Sequence, residues 1–401
     1  MIKFSHLADC HIGSWREEKL KELSMKAFES AINTSIEEDV DFILIAGDLF
    51  DYAIPNIDLI KEATGLLKKI KDKNISTFIV PGSHDFSVSG KTMIDVLEKA
   101  GLVENVVKLK NNELEITLHK TKNGKEVKLA GLHGKKSGLE LYDYVSLNKN
   151  PLEQEEGFKI FMFHTTINEL KPRNLEKVQG IDVKILPKNF HYYAGGHIHI
   201  VKQDKYGNGT ITYPGPLFPT NFQEIEELNH GSFYIINFDK DIEIKRIPIK
   251  LKDVISININ SQDKKPEDIE NELYEIIKNH DIKDKIITLR IEGVLSSGKP
   301  SDINFPNIMK NLSDAFFVLK NTNKLFAREL SDMKIETGSI EQIEEKLIIE
   351  NIKEETDFKF GNDENFIATI IEALNKEKIE GERNIDFENR LIKELFPLLE
   401  I

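Results

Sequence analysis

The chain has 401 residues, 40% of them hydrophobic and 8% aromatic, with a formal net charge of -14. That length predicts two or three domains. No apolar run approaches the length of a membrane span, so no membrane association is expected, and the single cysteine, Cys10, excludes an internal disulfide and suits a reducing, cytoplasmic setting. The acidity is uneven: residues 341–401 hold 17 acidic and 8 basic side chains. The rest is only mildly acidic, so charge does not exclude nucleic acid as a partner.

The N-terminus MIKFSHLADCHIG is too short and polar for a secretory signal and reads as a strand over 2–8. Residues 16–40 place Leu20, Leu23, Ala27, Ala31 and Ile32 at helical spacing. DFILIAGD (41–48) reads as a buried strand, 56–74 as an amphipathic helix and ISTFIVPG (75–82) as a third strand. This order is that of parallel strands joined by right-handed crossovers. From about residue 106 the strands crowd together as VKLA, KIFMFH, HYYAGGHIH, ITYPG and SFYIINFD. They predict a mixed or antiparallel sheet packed on the first. Residues 249–335 read strand, helix, strand, helix, a small α/β domain after a first domain at 1–248. Residues 336–401 read as an acidic linker and helical tail.

Aspartates and histidines recur where the strands end. Asp9 and His11 follow the first strand, Asp48 the second, and Ser83, His84 and Asp85 the third; His164 ends KIFMFH, and His197 and His199 lie in GGHIH. In open α/β sheets ligands bind beyond the carboxyl ends of strands, so these side chains are expected to converge. In D-x-H and H-x-H the outer residues point the same way along an extended chain. Carboxylates mixed with imidazoles suit manganese, iron or zinc. A shared carboxylate, here Asp48, can hold two cations about 3.5–4 Å apart for in-line displacement at phosphorus. Any one of these elements alone is as readily a turn or a cap; their succession at strand ends argues for a metal site. Cys10, between two ligands, is expected to turn away as a buried thiol, and His6 and His133 to serve the core or surroundings of the site. NFQEIEEL reads as a helix start, with Asn221 as cap and Glu224 as its partner.

The series D-x-H, G-D, G-x-H-D, H and G-H-x-H resembles the calcineurin-like metallophosphoesterases. HLADCHIG, AGDLFD, FHTTINEL, GGHIH and YPGPLFPTNFQEIEEL are similar to the Mre-eleven/SbcD DNA double-strand-break repair nucleases, in their archaeal form. The resemblance covers about residues 1–240 and implies an α/β fold: a four-layer αββα sandwich, a small α/β DNA-contacting capping domain and a helical tail. It implies one cation on Asp9, His11, Asp48 and His199, and a second on Asp48, residue 83, His164 and His197. Manganese is the expected metal. A bridging hydroxide would attack phosphorus, His84 would assist the leaving oxygen, and Asp85 would orient His84. The implied activity is 3′-to-5′ exonuclease action on duplex DNA and endonuclease action on single strands and hairpins.

The chain departs from the family at Ser83, where Asn is usual; a hydroxyl reaches less far, so weaker binding of the second cation is expected. Asp51 stands where some members carry His. Two apolar stripes in the tail, Phe366, Ile370, Ile371 and Leu374, then Phe387, Leu391, Leu395 and Phe396, are where the family docks its Rad-fifty/SbcC-type coiled-coil ATPase. The resemblance implies a homodimer, for which the helix at 56–73 and the stretch 91–103 offer a two-fold face; by pattern alone their apolar residues fit a core equally well. The alternatives are a metallophosphoesterase acting on nucleotides and a non-catalytic DNA-end tether. A phosphoprotein phosphatase is disfavoured, since GDLFDYA lacks the Arg-Gly expected soon after its second Asp.

Overall fold

In a computed structural model, residues 1–328 are described apart from 88–89, 136–139 and 177, together with residue 390. From the N-terminus run β1 (Ile2–Leu7), α1 (Glu18–Glu37), β2 (Phe42–Ala46), α2 (Ile57–Asp72), β3 (Ser76–Val80), α3 (Met93–Lys99) and β4 (Glu104–Asn105). A hairpin, β5 (Leu109–Lys110) and β6 (Glu113–Leu114), leads to β7 (Thr117–Lys120) and β8 (Glu126–Leu132). Then come α4 (Leu141–Ser146), α5 (Asn150–Gln154), β9 (Phe158–His164), β10 (Tyr192–Gly196), β11 (Val201–Tyr206) and β12 (Gly209–Pro214). Helix α6 (Phe222–Leu228) precedes β13 (Gly231–Phe238) and β14 (Ile242–Ile249). The last described elements are β15 (Val254–Asn260), α7 (Pro266–Lys278), β16 (Ile286–Val294), α8 (Phe305–Asn311) and β17 (Phe317–Phe326).

Two six-stranded sheets carry the molecule, ordered β14-β13-β1-β2-β3-β4 and β11-β12-β10-β9-β8-β7. Strands β1 to β3 are parallel, as the strand–helix alternation predicts, and the short β4 adds a fourth parallel strand. In the second sheet β8, β9, β10 and β12 are parallel, with β7 and β11 added antiparallel at the edges. One expectation is corrected. SFYIINFD does not join the second sheet: β13 pairs antiparallel with β1 and closes the first.

Alternation along the strands sorts the side chains into layers. Phe4, Phe42, Leu44 and Phe78 of the first sheet meet Leu129, Ile160, Met162 and Tyr192 of the second in a core between the sheets. Leu7, Ile43, Ile45 and Ile79 face the other way, into a core with Leu20, Phe28, Ala63 and Leu67 of α1 and α2. On the far side, Phe161, Phe163, Tyr193 and Tyr213 pack with Tyr144 and Leu152 of α4 and α5. These are the four layers. Each fully buried Leu, Ile or Phe is worth about 1.5–3 kcal/mol relative to exposure, which explains why β2, FILIA, is buried at every position.

A three-stranded sheet, β15-β16-β17, follows with its own core of Ile257, Ile259, Leu273, Leu289 and Ile308 among others. Residues Met1–Leu325 form one compact unit and Phe326–Ile401 a second. The tail residues expected to bind a partner, Phe366 to Phe396, lie outside the described residues. No helix among the described residues is long and apolar enough to cross a membrane.

Candidate metal centre

The loops after β1 and β2 are zipped together by their backbones. The amide of Asp9 donates to the Gly47 carbonyl (3.2 Å), that of His11 to Asp48 (2.9 Å) and that of Ile12 to Leu49 (3.0 Å). Asp9, His11, Asp48 and His197 all take left-handed backbone conformations, with φ of 49°, 41°, 51° and 97°. Such conformations are uncommon for these residues and gather at functional sites. Gly47 and Gly82 leave the room this needs: a Cβ at Gly47 would strike the His164 ring, and one at Gly82 would strike Asp48.

The ligand atoms of Asp9, His11 and His199 lie within 4.8 Å of one another, as do those of Asp9, Asp48 and His164 and those of His11, Asp48 and His84. The expected set around Asp48 is therefore brought together. His197 stands at the margin, its ring 5.0 Å from that of His164 and its backbone N–H donating to Asp9 Oδ1 (2.9 Å). Ser83 Oγ reaches Asp48 Oδ2 at 3.5 Å. The cluster opens into a cleft of about 790 Å³, lined by His84, His197, Asp51, Gln223 and Arg246 among others.

Four imidazoles share one arrangement. Nδ1 of His11 lies 3.0 Å from Asp51 Oδ1, of His199 2.8 Å from Glu224 Oε1, of His164 2.9 Å from the Ala46 carbonyl and of His84 2.8 Å from the Asp51 carbonyl. Carbonyls and carboxylates accept only, so each Nδ1 must donate and each neutral ring presents a bare Nε2. This is how proteins orient metal-binding histidines. His11 and His199 then aim their Nε2 atoms at each other across 3.1 Å, a repulsive pairing of lone pairs unless a proton or cation lies there. Asp9 Oδ2 is buried without a hydrogen-bond partner, and the buried His164 Nε2 faces the Asp48 carboxylate at 3.2 Å. Bare nitrogens, an unused carboxylate oxygen and shared Asp48 fit divalent cations.

Charge confirms the strain of leaving them together. Burial alone would lower His164, but the Asp48 carboxylate, 3.2 Å from its Nε2, more than reverses this and raises it to about 10. His199, likewise buried, is raised to about 9 by its Glu224 hydrogen bond and Asp9. Asp48 is depressed below the usual carboxylate range, its burial outweighed by His164 and His11. Burial, and then the charge on His164, lower His197 to about 3. Burial and the nearby Asp48 charge raise Asp85 to about 7.

Two assignments change. Asp85 does not orient His84: its carboxylate accepts from the backbone of Gly82 (2.8 Å), Phe50 (3.3 Å) and Leu49 (3.4 Å), locking the β2 and β3 loops together. The His84 ring is held by the carbonyl of Asp51, whose side chain also holds His11. Asp51 thus has a place the sequence left open. Glu224 was expected only as a cap partner. Asn221 does accept from its amide (2.9 Å), yet the Glu224 carboxylate goes to His199. Cys10 and His6 are buried in the core as expected, His6 against Tyr192 and Thr212. His133 lies 3.3 Å from Asp143 and belongs to none of the three ligand clusters.

A family model described as "Calcineurin-like phosphoesterase" matches residues 2–201, which hold every residue of the three clusters. The chain is 28% identical to "DNA double-strand break repair protein Mre11" of Methanococcus maripaludis, over 90% of this chain and 94% of that one. It is 23% identical to the protein of that name in Archaeoglobus fulgidus, over 98% and 94%. The Methanocaldococcus jannaschii protein of that name is 29% identical over 65% and 70%.

Proposed function

The chain belongs to the calcineurin-like phosphoesterase family, in the group of its archaeal Mre11 relatives, and we propose that it is the nuclease subunit of a DNA double-strand-break repair complex. The observation that carries this is the set of imidazoles around Asp9 and Asp48, those of His11, His164 and His199 each with Nδ1 tied to an acceptor and Nε2 left toward the Asp9–Asp48 cluster. Two divalent cations, manganese in this reading, supply when bound neutralisation of phosphoryl charge and acidification of a water. Asp9, His11, Asp48 and His199 would hold the first. Asp48, His164 and His197 would hold the second, with Ser83 contributing weakly.

His84, partly exposed at the cleft and in this reading not spent on either cation, is the catalytic residue. With Nδ1 donating to the Asp51 carbonyl, a proton on Nε2 of the imidazolium form would be hydrogen-bonded to a phosphate oxygen and handed to the departing sugar oxygen, leaving the neutral ring. Asp85 positions the loop that presents it. The proposal extends to 3′-to-5′ exonuclease and hairpin endonuclease action, to a cytoplasmic homodimer and to a coiled-coil ATPase bound through the tail. Residues 249–335 are proposed as a capping domain that contacts DNA.

The test is cleavage of blunt duplex, hairpin and single-stranded DNA with manganese, beside a panel of nucleotides. Cleavage of the DNA substrates in preference to nucleotides is expected. Nucleotide hydrolysis alone would place the chain elsewhere in its family, and DNA binding without cleavage would make it a tether.

A further inference from the structure

Helix α6 carries carboxylates with different neighbours, as positions two apart on a helix must. Glu224 Oε1 accepts from His199 Nδ1 at 2.8 Å, while its other oxygen takes the amide (2.8 Å) and hydroxyl (3.0 Å) of Thr220. Glu226 turns to Arg290 of β16, in the third sheet. The guanidinium grips it by two nitrogens, Nη2 at 2.5 Å and Nε at 3.1 Å, and lies 4.9 Å over the ring of Phe222 on the same helix. A forked, largely buried contact of this kind fixes position more firmly than a point charge does. On the near side the helix start is fixed by the Asn221 cap and by Trp15 Nε1 donating to the Pro219 carbonyl (2.9 Å).

We propose that Arg290 is a positioning residue for His199, acting from the third sheet through Glu226 and α6 to Glu224. The inference rests on the metal-centre reading above. Metal–ligand distances tolerate about 0.2 Å, so a small displacement of α6 carries Glu224, and with it Nε2 of His199, off the cation. The third sheet thereby sets how firmly the first cation is held, although none of its residues reaches the cleft among those described.

The experiment is calorimetric titration of manganese into the metal-free, full-length protein. It compares wild type, Glu224→Ala, Arg290→Ala and the double variant, with unfolding temperature followed for each. Glu224→Ala is expected to weaken the tighter site about 10–100-fold, as loss of a ligand's hydrogen-bond partner does. Arg290→Ala should weaken it by roughly three- to tenfold, and the double variant no more than Glu224→Ala alone, since coupled residues are not additive. The charge-reversed pair Arg290→Glu with Glu226→Arg should recover part of the loss. Wild-type affinity in Arg290→Ala, or fully additive losses in the double variant, overturns the proposal. Should Arg290→Ala not fold, Arg290→Lys, which keeps the charge and loses the fork, takes its place in the cycle under the same criteria. A wild-type protein that binds no manganese would remove the metal reading, and this inference with it, whereas binding indifferent to position 290 removes this inference alone.

Discussion

Ser83 stands 3.5 Å from the carboxylate that both cations would share, at a place where an amide side chain would extend into the cleft. Ser83→Asn is therefore expected to tighten the weaker manganese site by roughly tenfold, about 1.4 kcal/mol, in a titration resolving the two sites; unchanged affinity would show that position 83 is not a ligand position. The raised histidines give a second prediction. Below about pH 9 the metal-free protein keeps His164 and His199 protonated, so cation binding must displace their protons. Manganese binding is expected to release more than one proton at pH 7 and to strengthen as pH rises toward 9. Calorimetry in buffers of different ionisation enthalpy counts those protons, and zero release contradicts the arrangement. The residues that the fold gathers around Asp48 were legible in the sequence because each ends or follows an apolar strand. The groups that aim them were not. Asp51 and Glu224 reach His11 and His199 across 40 and 25 residues, and no local spacing reports such a pairing.

At the scale of elements, the parallel strands β1 to β3 and the helices α1 and α2 between them follow from apolar and period-3.6 patterning, and the structure has them where the pattern places them. Sheet order is another matter. An apolar strand such as β13 fits either sheet by pattern alone, and its pairing with β1 is decided by tertiary packing. The turn after β3 is the element on which the site depends most. Gly82 passes so close to Asp48 that a methyl group there meets both its carboxylate and its backbone nitrogen. Gly82→Ala is expected to cost about 1–3 kcal/mol in denaturant unfolding, as overpacking does, and to weaken manganese binding as well. Gly65 in α2, with nothing within 4 Å of an added Cβ, is the control. There alanine should stabilise by about 0.5–1 kcal/mol, with cation binding unchanged.

Across the whole molecule, an acidic chain holds a cluster suited to cations at the junction of two sheets, and most of its net negative charge lies in residues 341–401. The tail stripes from Phe366 to Phe396 were legible as amphipathic only in sequence. Removing 360–401 is expected to abolish binding of a coiled-coil ATPase in a pull-down while leaving manganese-dependent cleavage intact; loss of both would tie the tail to the fold of the body. The most direct test of the central claim is at His84, whose ring is partly exposed at the cleft. Single-turnover cleavage of duplex DNA in manganese should fall by at least about 100-fold in His84→Gln, the scale of a lost general acid, with DNA affinity and manganese binding kept. Cleavage at the wild-type rate in that variant, or no manganese-dependent cleavage by the wild-type protein, would contradict the assignment.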